Sequence, residues 1–234
     1  MERILEPEAM DTAEEAADYD AMDFAEVNAA FAEAVAALGV RSGRILDVGT
    51  GTARIPMLIA ERLPDVEIVA VDLSSEMLKL GARHIAAAGL ESRIELRLAD
   101  AKRLPFPAAS FDAVVSNSIV HHIPEPATAL RELARVAKPG AALLIRDLLR
   151  PETPEAADAL VARYAAGESP RQQKLFRDSL GAALTLEEIA AAAQEAGLTD
   201  ATIAQTSDRH WTLLRPPQLS LKPEPGQAAA NRKH

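Results

Sequence analysis

The chain has 234 residues, of which 48% are hydrophobic, and this is enough to bury the core of one substantial domain. Its formal net charge of −10 argues against a surface for nucleic-acid phosphates, because such surfaces depend on clustered Lys and Arg. The chain contains no Cys, which excludes disulfides, thiolate metal ligands and a cysteine nucleophile. No apolar run approaches the roughly 18 residues that a membrane span requires, and a basic leader is missing. We therefore expect a cytoplasmic protein with no nucleic-acid partner and no membrane span.

The N-terminal part of the chain has the pattern of one long helix. Between Ala13 and Leu38 the composition is rich in Ala and Glu, and Gly39 follows as a residue that ends helices. Apolar residues recur at steps of three and four, as one buried face requires: Phe24, Val27, Phe31 and Val35. We predict an N-terminal helical lid over residues 1–40. Such a helix could pack on its own sheet or on that of a partner chain, so a homodimer is left open.

Short β-rich runs then alternate with longer helical runs. The predicted strands are Arg44–Val48, Glu67–Asp72, Ile94–Ala99, Phe111–Ser116 and Ala141–Arg146. The predicted helices are Ile55–Leu63, Ser75–Ala88 and Ala127–Ala137. Alternation of this kind indicates a parallel sheet with helices on both faces. The predicted fold class is therefore α/β, a Rossmann-like doubly wound sheet.

The pattern becomes less regular after the fifth strand, which predicts a helical insertion at about residues 151–184. The segment Thr185–Glu188 is a capping box and begins another helix. Two β-rich runs follow, Thr199–Thr206 and His210–Leu214, and their connection is too short for a helical crossover. We predict an antiparallel hairpin, so that the sheet is mostly parallel with an antiparallel C-terminal strand.

These elements predict the domain organisation. One domain would occupy residues 41–215, with the lid before it and the insertion within it. The remaining residues, 216–234, are rich in Pro and in small or polar side chains, so we expect them to be disordered.

The first predicted strand runs into a glycine-rich turn and then into a helix. The turn reads Asp47-Val48-Gly49-Thr50-Gly51-Thr52-Ala53. Glycine permits positive φ angles and a close approach of backbone to ligand, and the following helix presents unpaired N–H groups. A dinucleotide-binding fingerprint would place a third glycine three positions after Gly51, where this chain has Arg54. The pattern indicates a ligand-binding loop that departs from the dinucleotide type.

Polar residues stand at the ends of the predicted strands. In an open α/β sheet, ligands bind outside the carboxyl ends of the strands, at the point where the strand order reverses. Asp and Asn near turns also serve local hydrogen bonding, which explains any one of these residues better than the whole set. The residues predicted to meet in one crevice are Asp47, Asp72, Asp100, Asn117, Arg146 and Asp147.

Four further segments accompany the glycine turn: Val71–Ser74, Ala99–Ala101, Phe111–Val114 and Leu133–Ala141. In their order and spacing, they resemble the motifs of the class I S-adenosylmethionine-dependent methyltransferases. The closest likeness is to small-molecule enzymes that methylate quinone precursors and natural products. The resemblance covers about residues 41–150 and is weaker from there to Leu214. It implies S-adenosyl-L-methionine as the cofactor and a small molecule as the methyl acceptor.

The resemblance implies roles for the residues at the strand ends. Asp72 would accept hydrogen bonds from the ribose hydroxyls, and Asp100 would accept one from the adenine amino group. The glycines would admit the methionine part of the cofactor, and Asp47 would interact with its ammonium group. Met77 would contact the adenine, although a place in the core is an equally good interpretation. The cofactor-binding residues implied in this way are Asp47, Gly49, Thr50, Gly51, Asp72, Leu73, Met77, Asp100, Ala101 and Asn117.

Two adjacent histidines, His121 and His122, follow the fourth predicted strand at the lip of the crevice. Histidine has an ordinary pKa near neutrality, so it suits the removal of a proton from a hydroxyl or amine acceptor. We predict a catalytic role for this pair, with a structural or substrate-shaping role as the alternative. His84 and His210 are expected to be solvated or to lie at a surface or sheet edge.

The candidate acceptor-binding residues are Tyr19, Met22, Phe24, Arg146, Asp147 and Tyr164. The first three lie near the start of the long helix, in a segment that resembles the lid of related enzymes. Tyr164 belongs to the insertion, where the family places elements that cover the substrate. Arg146 and Asp147 end the fifth strand, where they would either form an ordinary ion pair or hold a polar acceptor.

The sequence therefore predicts methyl transfer from S-adenosylmethionine to a small molecule by in-line displacement, a reaction that needs no metal ion. After the fourth strand the chain lacks the Asn-Pro-Pro-aromatic motif typical of nucleic-acid adenine and glutamine methyltransferases. Two alternatives are a non-catalytic S-adenosylmethionine-binding regulatory protein and an NAD-binding oxidoreductase with the same sheet topology. The acceptor atom is open, since O-, N-, S- and C-methylation share this scaffold.

Overall fold

The computed structural model describes residues 1–7 and 12–218. Within these residues the chain forms a seven-stranded sheet with the order β3-β2-β1-β4-β5-β7-β6. The strands are β1 Gly43–Val48, β2 Val66–Asp72, β3 Ile94–Leu98, β4 Phe111–Asn117, β5 Ala137–Leu148, β6 Thr202–Gln205 and β7 His210–Arg215. Strands β1 to β5 are parallel, whereas β7 is antiparallel to both β5 and β6. The predicted fold class is confirmed.

Helices precede, connect and follow the strands. They are α1 Ala13–Asp20, α2 Ala25–Ala37, α3 Arg54–Arg62, α4 Ser75–Ala87, α5 Pro126–Val136, α6 Pro154–Tyr164, α7 Pro170–Ala182 and α8 Leu186–Glu195. A short 3₁₀ helix, Val120–His122, lies between β4 and α5. In the part of the chain that the structure describes, no helix has both the length and the apolar character needed to cross a bilayer.

Helices cover both faces of the sheet because its strands carry apolar side chains on both sides. Ile45 of β1 packs into a core with Phe31 of α2 and helices α3 and α4. The next residue, Leu46, faces the opposite core, where Leu130 of α5 and Ile189 of α8 pack. Successive side chains of a strand point to opposite faces, so this alternation assembles two cores from one strand. From β1 the sheet continues through β2 and β3 on one side and through β4 and β5 on the other. The strand order therefore reverses between β1 and β4, and a crevice lies at the carboxyl ends of these two strands.

The prediction of one helix over residues 13–38 is wrong, because the chain breaks at residues 21–24 between α1 and α2. The side chain of Asp23 accepts a hydrogen bond from the backbone N–H of Ala25, at 3.0 Å, and so satisfies one free donor at the start of α2. The rings of Tyr19 and Phe24 lie 5.1 Å apart across the break. The break therefore brings the ring of Tyr19 in α1 against the ring of Phe24, the residue just before α2.

The C-terminal elements agree with the predicted hairpin, but the start of β5 and the segment after β7 differ from the prediction. The capping box at Thr185 is confirmed, since its side chain accepts from the Glu188 N–H and the Glu188 side chain accepts in return. Strand β5 begins at Ala137 rather than Ala141, because Ala137 pairs with Phe111 before the register shifts. Gln218 donates its N–H to the carbonyl of Gly140 at 2.9 Å. The rest of the tail predicted to be disordered, residues 219–234, lies outside the described residues.

Residues 1–7, called the N-terminal strap below, run across the insertion and the 3₁₀ helix. The N–H of Ile4 donates to the carbonyl of Gly181 in α7 at 3.1 Å. The guanidinium group of Arg3 donates to the carbonyls of His121 and Ile123, each at 3.0 Å. These bonds attach the strap to the segment that carries the predicted catalytic histidines.

Candidate functional site

The glycine turn after β1 adopts backbone angles that favour glycine. Gly49 and Gly51 have φ angles of 78° and 57°. A Cβ atom at Gly49 would lie 2.0 Å from Cγ2 of Ile119, so a side chain there would collide with the loop after β4. The N–H groups of Gly49 and Thr50 donate to the carbonyl of Val71 at 2.8 and 2.9 Å. The turn is thus held between the ends of β2 and β4.

Asp72, at the end of β2, connects its own loop to the glycine turn. One carboxylate oxygen accepts from the Gly51 N–H at 2.7 Å, and the other accepts from the Ser74 N–H at 2.8 Å. Burial raises the pKa of Asp72, while these hydrogen bonds favour the ionised form. The carboxylate lies at the surface of a cavity at the strand ends.

This cavity, called the strand-end cavity below, collects most of the predicted cofactor-binding residues. Those that line it are Gly49, Gly51, Asp72, Leu73, Met77, Asp100, Ala101 and Asn117. Asp47 and Thr50 do not line it and are buried next to residues that do. Tyr19 of α1, Ile119 and His122 close the cavity from the lid side and from the loop after β4.

Among the described residues, several buried oxygen atoms next to this cavity have no hydrogen-bond partner. Asp47 is 2% exposed, and its Oδ2 atom has no hydrogen-bond partner within the described part of the chain. Burial, together with the negative charge of Asp72, raises the pKa of Asp47 to about 7. Oγ1 of Thr50 and Oδ1 of Asn117 are likewise buried and unpartnered in the described structure. A ligand that brings hydrogen-bond donors or a positive charge would satisfy these atoms.

A second cavity, called the lid cavity below, lies under the helix break and the insertion. The predicted acceptor-binding residues that line it are Tyr19, Met22, Phe24 and Tyr164. Phe176 of α7 adds to its apolar wall, and both His121 and His122 reach it. Four residues line both cavities: Tyr19, Asn117, Ser118 and His122.

Arg146 and Asp147 do not line the lid cavity, in contrast to the prediction. The guanidinium group of Arg146 lies 5.4 Å from the ring centroid of Phe31, and its Nε donates to Thr212 at 3.3 Å. Asp147 is fully buried and pairs with His121 rather than with Arg146. Neighbouring residues of a strand face opposite sides of the sheet, so these two side chains do not form the ion pair that is one of the two alternatives from the sequence.

Asp147 holds the 3₁₀ helix and the ring of His121. Its Oδ2 accepts from the N–H of Val120 at 2.6 Å and from that of His121 at 3.1 Å. Its Oδ1 lies 2.5 Å from Nδ1 of the His121 ring. Burial opposes the charge on His121, but the carboxylate of Asp147 outweighs it and raises the pKa of His121 to about 9. His121 is therefore an imidazolium at neutral pH.

His122 lies beside His121 with the ring centroids 4.1 Å apart. Its Nδ1 is 3.0 Å from the carbonyl oxygen of Pro7 and 3.3 Å from Oε1 of Glu6, both in the N-terminal strap. Burial and the adjacent charge of His121 lower the pKa of His122 to about 4, so this ring is neutral. Since both neighbours of Nδ1 are acceptors, that nitrogen carries the hydrogen and Nε2 is left bare.

Glu6 is a site residue that sequence reasoning missed. Its Oε1 also lies 3.3 Å from Nε2 of His121, and it accepts a hydrogen bond from Ser179 of α7 at 2.9 Å. Glu6 precedes His121 by 115 residues, so no local spacing connects them. Only the path of the N-terminal strap brings its carboxylate to the histidines.

The expectations for His84 and His210 are wrong. His210 is buried at the wall of the lid cavity, with Nδ1 2.8 Å from Oγ of Ser207. His84 is partly buried, with Nδ1 3.0 Å from the carbonyl oxygen of Thr52 and Nε2 3.1 Å from Asp20. The contacts of His84 come from elements far apart in the chain, which helical periodicity cannot reveal.

A family model described as a methyltransferase domain matches residues 46–145, from β1 through β5. Residues 46–145 therefore carry a methyltransferase domain. The strand-end cavity lies largely within this methyltransferase domain. The lid cavity draws much of its wall from residues outside the match, among them Tyr19, Phe24, Tyr164 and Phe176.

Curated relatives match about half of the chain. A ubiquinone/menaquinone biosynthesis C-methyltransferase of Geotalea daltonii is 36% identical over 111 residues, which cover 47% of this chain and 47% of the relative. A phosphatidylethanolamine N-methyltransferase of Cereibacter sphaeroides is 36% identical over 129 residues, covering 54% of this chain and 62% of the relative. The chain thus spans about half the length of the curated relatives it matches.

A solved structure shares the fold over nearly the whole chain. The crystal structure of a protein from Methanococcus maripaludis aligns with a TM-score of 0.72 at 22% identity. The alignment covers 93% of this chain and 99% of the other. The common fold therefore extends beyond the methyltransferase domain.

Proposed function

We propose that the protein transfers the methyl group of S-adenosylmethionine to a small molecule bound in the lid cavity. The main support for this proposal is that the strand-end cavity and the lid cavity share one wall, which is formed by Tyr19, Asn117, Ser118 and His122. A donor in one cavity and an acceptor in the other would meet at this wall. Methyl transfer needs little more than such an alignment in a dry site, because the sulfonium is already activated.

The strand-end cavity fits the proposed cofactor. The unpartnered carboxylate oxygen of Asp47 suits the ammonium group of the methionine part, and Asp72 suits the ribose hydroxyls. Gly49 leaves free the space that a Cβ would fill beside Ile119. Asp100 and Leu73 line the region proposed for the adenine. The same features give an NAD-binding oxidoreductase less support, since the turn lacks the third glycine.

We place the removal of the acceptor's proton at the His121–His122 pair, with the neutral ring of His122 as the group that accepts it, because His121 is already an imidazolium. In the transfer, the methyl carbon forms a bond to the acceptor atom as its bond to sulfur breaks, and S-adenosylhomocysteine leaves with the electron pair. A hydroxyl or protonated amine must also lose a proton. His122 lines both cavities and stands at their common wall, whereas His121 is enclosed by Asp147 and Glu6.

The lid cavity favours an acceptor with an apolar body and one polar group. Met22, Phe24 and Phe176 form an apolar wall of this cavity. The histidine pair and Ser179 form a polar wall. The curated relatives are named for C-methylation in quinone biosynthesis and for N-methylation of phosphatidylethanolamine. Both names are compatible with such a cavity, so the acceptor atom is to be determined by assay.

The proposal also covers the organisation of the chain and its setting. Residues 1–40 would act as a lid on a domain of residues 41–215, with the insertion as the cover of the acceptor. We propose cytoplasmic action on a free small molecule without a nucleic-acid partner, in accord with the net charge of −10. Gel filtration with light scattering would decide between a monomer and a homodimer.

Calorimetric titration with S-adenosylmethionine and with NAD tests the cofactor. We expect binding of S-adenosylmethionine with one site per chain and no heat from NAD, and absence of the former would contradict the proposal. Release of S-adenosylhomocysteine over a broad metabolite panel tests catalysis. Binding without any turnover would favour the non-catalytic regulatory protein. If neither His121→Ala nor His122→Ala slowed a reaction that requires deprotonation, the role of the pair would be wrong.

A further inference from the structure

We propose that Glu6, His121 and His122 form a binding site for one divalent transition-metal ion at the wall of the lid cavity. The ligand atoms are Oε1 of Glu6, Nε2 of His121 and Nδ1 of His122, and all three lie within 4.8 Å of one another. This site goes beyond the proposed methyl transfer, since it is defined without the methyl donor. The prediction that the reaction needs no metal ion concerns the transfer step and does not bear on it.

Two of the three distances between ligand atoms match those around a tetrahedral ion. Oε1 of Glu6 lies 3.3 Å from Nε2 of His121 and 3.3 Å from Nδ1 of His122. A tetrahedral ion bound at about 2.0–2.1 Å separates its ligand atoms by about 3.3–3.4 Å. Both contacts to Glu6 therefore have the length of an edge of such a tetrahedron.

The orientation of His121 also favours a metal ion over a hydrogen bond. Its Nε2 atom is buried and, despite its distance to Glu6, has no hydrogen-bond partner among the residues that the structure describes. A direct hydrogen bond would require the ring nitrogen to point at the carboxylate oxygen. In a tetrahedral site the nitrogen points at the ion instead. The direction from the nitrogen to the ion then differs by about 35° from the direction to the carboxylate oxygen. A shared ion would suit this alignment, whereas without an ion the contact is an ion pair between the imidazolium of His121 and the carboxylate of Glu6.

Groups behind the ligands hold them in place. Asp147 binds Nδ1 of His121 at 2.5 Å, which leaves Nε2 as the ligating nitrogen, as in the carboxylate–histidine pairs that support metal sites. Ser179 donates to the ligating oxygen of Glu6 at 2.9 Å. Arg3 attaches the strap to the carbonyl of His121 at 3.0 Å and so brings Glu6 close to the pair. The three ligand atoms are therefore held close together before an ion arrives, and binding of the ion would displace the hydrogens on Nε2 of His121 and Nδ1 of His122.

The ligand set predicts which ion would bind. Two imidazoles and one carboxylate, without thiolates, suit Zn²⁺ and similar transition-metal ions better than Mg²⁺ or Ca²⁺. Three protein ligands leave a coordination position open. Because both histidines line the lid cavity, that position is available to an oxygen or nitrogen atom of the acceptor. A bound ion would lower the pKa of such a group and so favour the release of its proton to solvent, because both histidines are then occupied as ligands.

The experiment measures metal binding directly in the full chain. The protein is freed of metal with a chelator, dialysed and titrated with Zn²⁺ by calorimetry near neutral pH. Co²⁺ is then added as a spectroscopic probe of the ligand geometry. We expect one ion per chain and the visible absorption of tetrahedral Co²⁺. Glu6→Gln and His122→Ala should each weaken Zn²⁺ binding by roughly 100-fold and abolish that absorption.

Glu2→Gln is the matched control, because it removes the same charge from an exposed position of the same strap. We expect it to bind Zn²⁺ like the parent protein. Circular dichroism on each variant checks that the fold is intact, which matters most for the buried His121. Absence of a stoichiometric ion in the parent, or unchanged binding in Glu6→Gln, would overturn the proposal. Titration of S-adenosylmethionine in the same samples keeps the two proposals separate, since cofactor binding without metal binding overturns only the metal site.

Discussion

The backbone N–H of Gly51 donates to the carboxylate of Asp72 at 2.7 Å, so the glycine turn and the end of the neighbouring strand β2 are joined by one hydrogen bond. Asp72 also accepts from Ser74 and lines the strand-end cavity. One side chain therefore shapes the turn and faces the proposed ribose. Its replacement should affect the cofactor more than the fold.

We predict that Asp72→Asn weakens binding of S-adenosylmethionine by about 10- to 100-fold, because the charge-assisted hydrogen bonds to the ribose are lost. Calorimetry measures the change. The control is Asp112→Asn, whose carboxylate also accepts a backbone N–H, from Arg44 at 2.9 Å, but at the opposite end of β4. Equal losses in both variants would show that the effect comes from general destabilisation.

The raised pKa of Asp47 predicts that cofactor affinity depends on pH. The ammonium group of the cofactor needs the carboxylate form, which is the minor form below a pKa of about 7. We expect the affinity for S-adenosylmethionine to rise by roughly tenfold between about pH 5.5 and pH 7. Asp47→Asn should bind weakly and without this slope. A flat profile in the parent protein would contradict the contact between Asp47 and the ammonium group.

The same pKa predicts the stability of the ligand-free protein. The folded state holds a proton on Asp47 up to about pH 7, whereas the unfolded chain releases it near pH 3.9. The contribution of this protonation to stability is complete below pH 3.9 and is lost as the pH rises to 7. Asp47→Asn should therefore be more stable than the parent at about pH 8, by up to about 4 kcal/mol, and the difference should shrink as the pH falls. Urea unfolding at both ends of this range measures it.

Gly49→Ala should destabilise the protein by about 1–3 kcal/mol. The substitution strains a backbone with φ of 78° and places a Cβ 2.0 Å from Cγ2 of Ile119. Gly89→Ala is the control, since Gly89 has a φ of 68° but nothing within 4 Å of an added Cβ. Denaturant unfolding should show the smaller cost of backbone strain alone for Gly89. Equal costs would mean that the loop after β4 gives way freely.

Asp20 anchors helix α1 to the methyltransferase domain. Its carboxylate lies 3.2 Å from Arg54 and 3.1 Å from Nε2 of His84. We predict that Asp20→Asn speeds amide hydrogen exchange in α1 several-fold, because the lid opens locally at a lower free-energy cost. Asp18→Asn, which removes a contact to Arg171 on an exposed surface, should leave the exchange nearly unchanged. No difference between the two variants would show that packing alone holds the lid.

The sheet and the strand-end cavity could be predicted because their signals are local. Alternation of strands and helices revealed the sheet, and Asp72 and Asp100 stand at strand ends that the sequence marks clearly. The break in the long helix was missed, because the apolar stripe of Phe24, Val27 and Phe31 is continuous while the interruption depends on polar Asp23. The sequence also predicted that Arg146 and Asp147 lie in the same crevice, although neighbouring side chains of a strand point to opposite faces of the sheet.

The arrangement around His121 could not be predicted, because it depends on contacts between distant segments. The N-terminal strap supplies Glu6, β5 supplies Asp147 and α7 supplies Ser179. Each of these residues is unremarkable in its own stretch of sequence. Only the folded chain shows that they surround the same pair of rings.

The insertion packs through a small apolar cluster of its own, with Ala157, Leu180 and Ala183 against Leu148, separate from the two cores of the sheet. Substitutions on α6 and α7 can therefore reshape the wall of the lid cavity with little cost to the sheet. Under the proposed function, such a division would let the acceptor side change without disturbing the methyl-donor side. We then expect that replacement of residues 151–184 alters the choice of acceptor more than the binding of the cofactor.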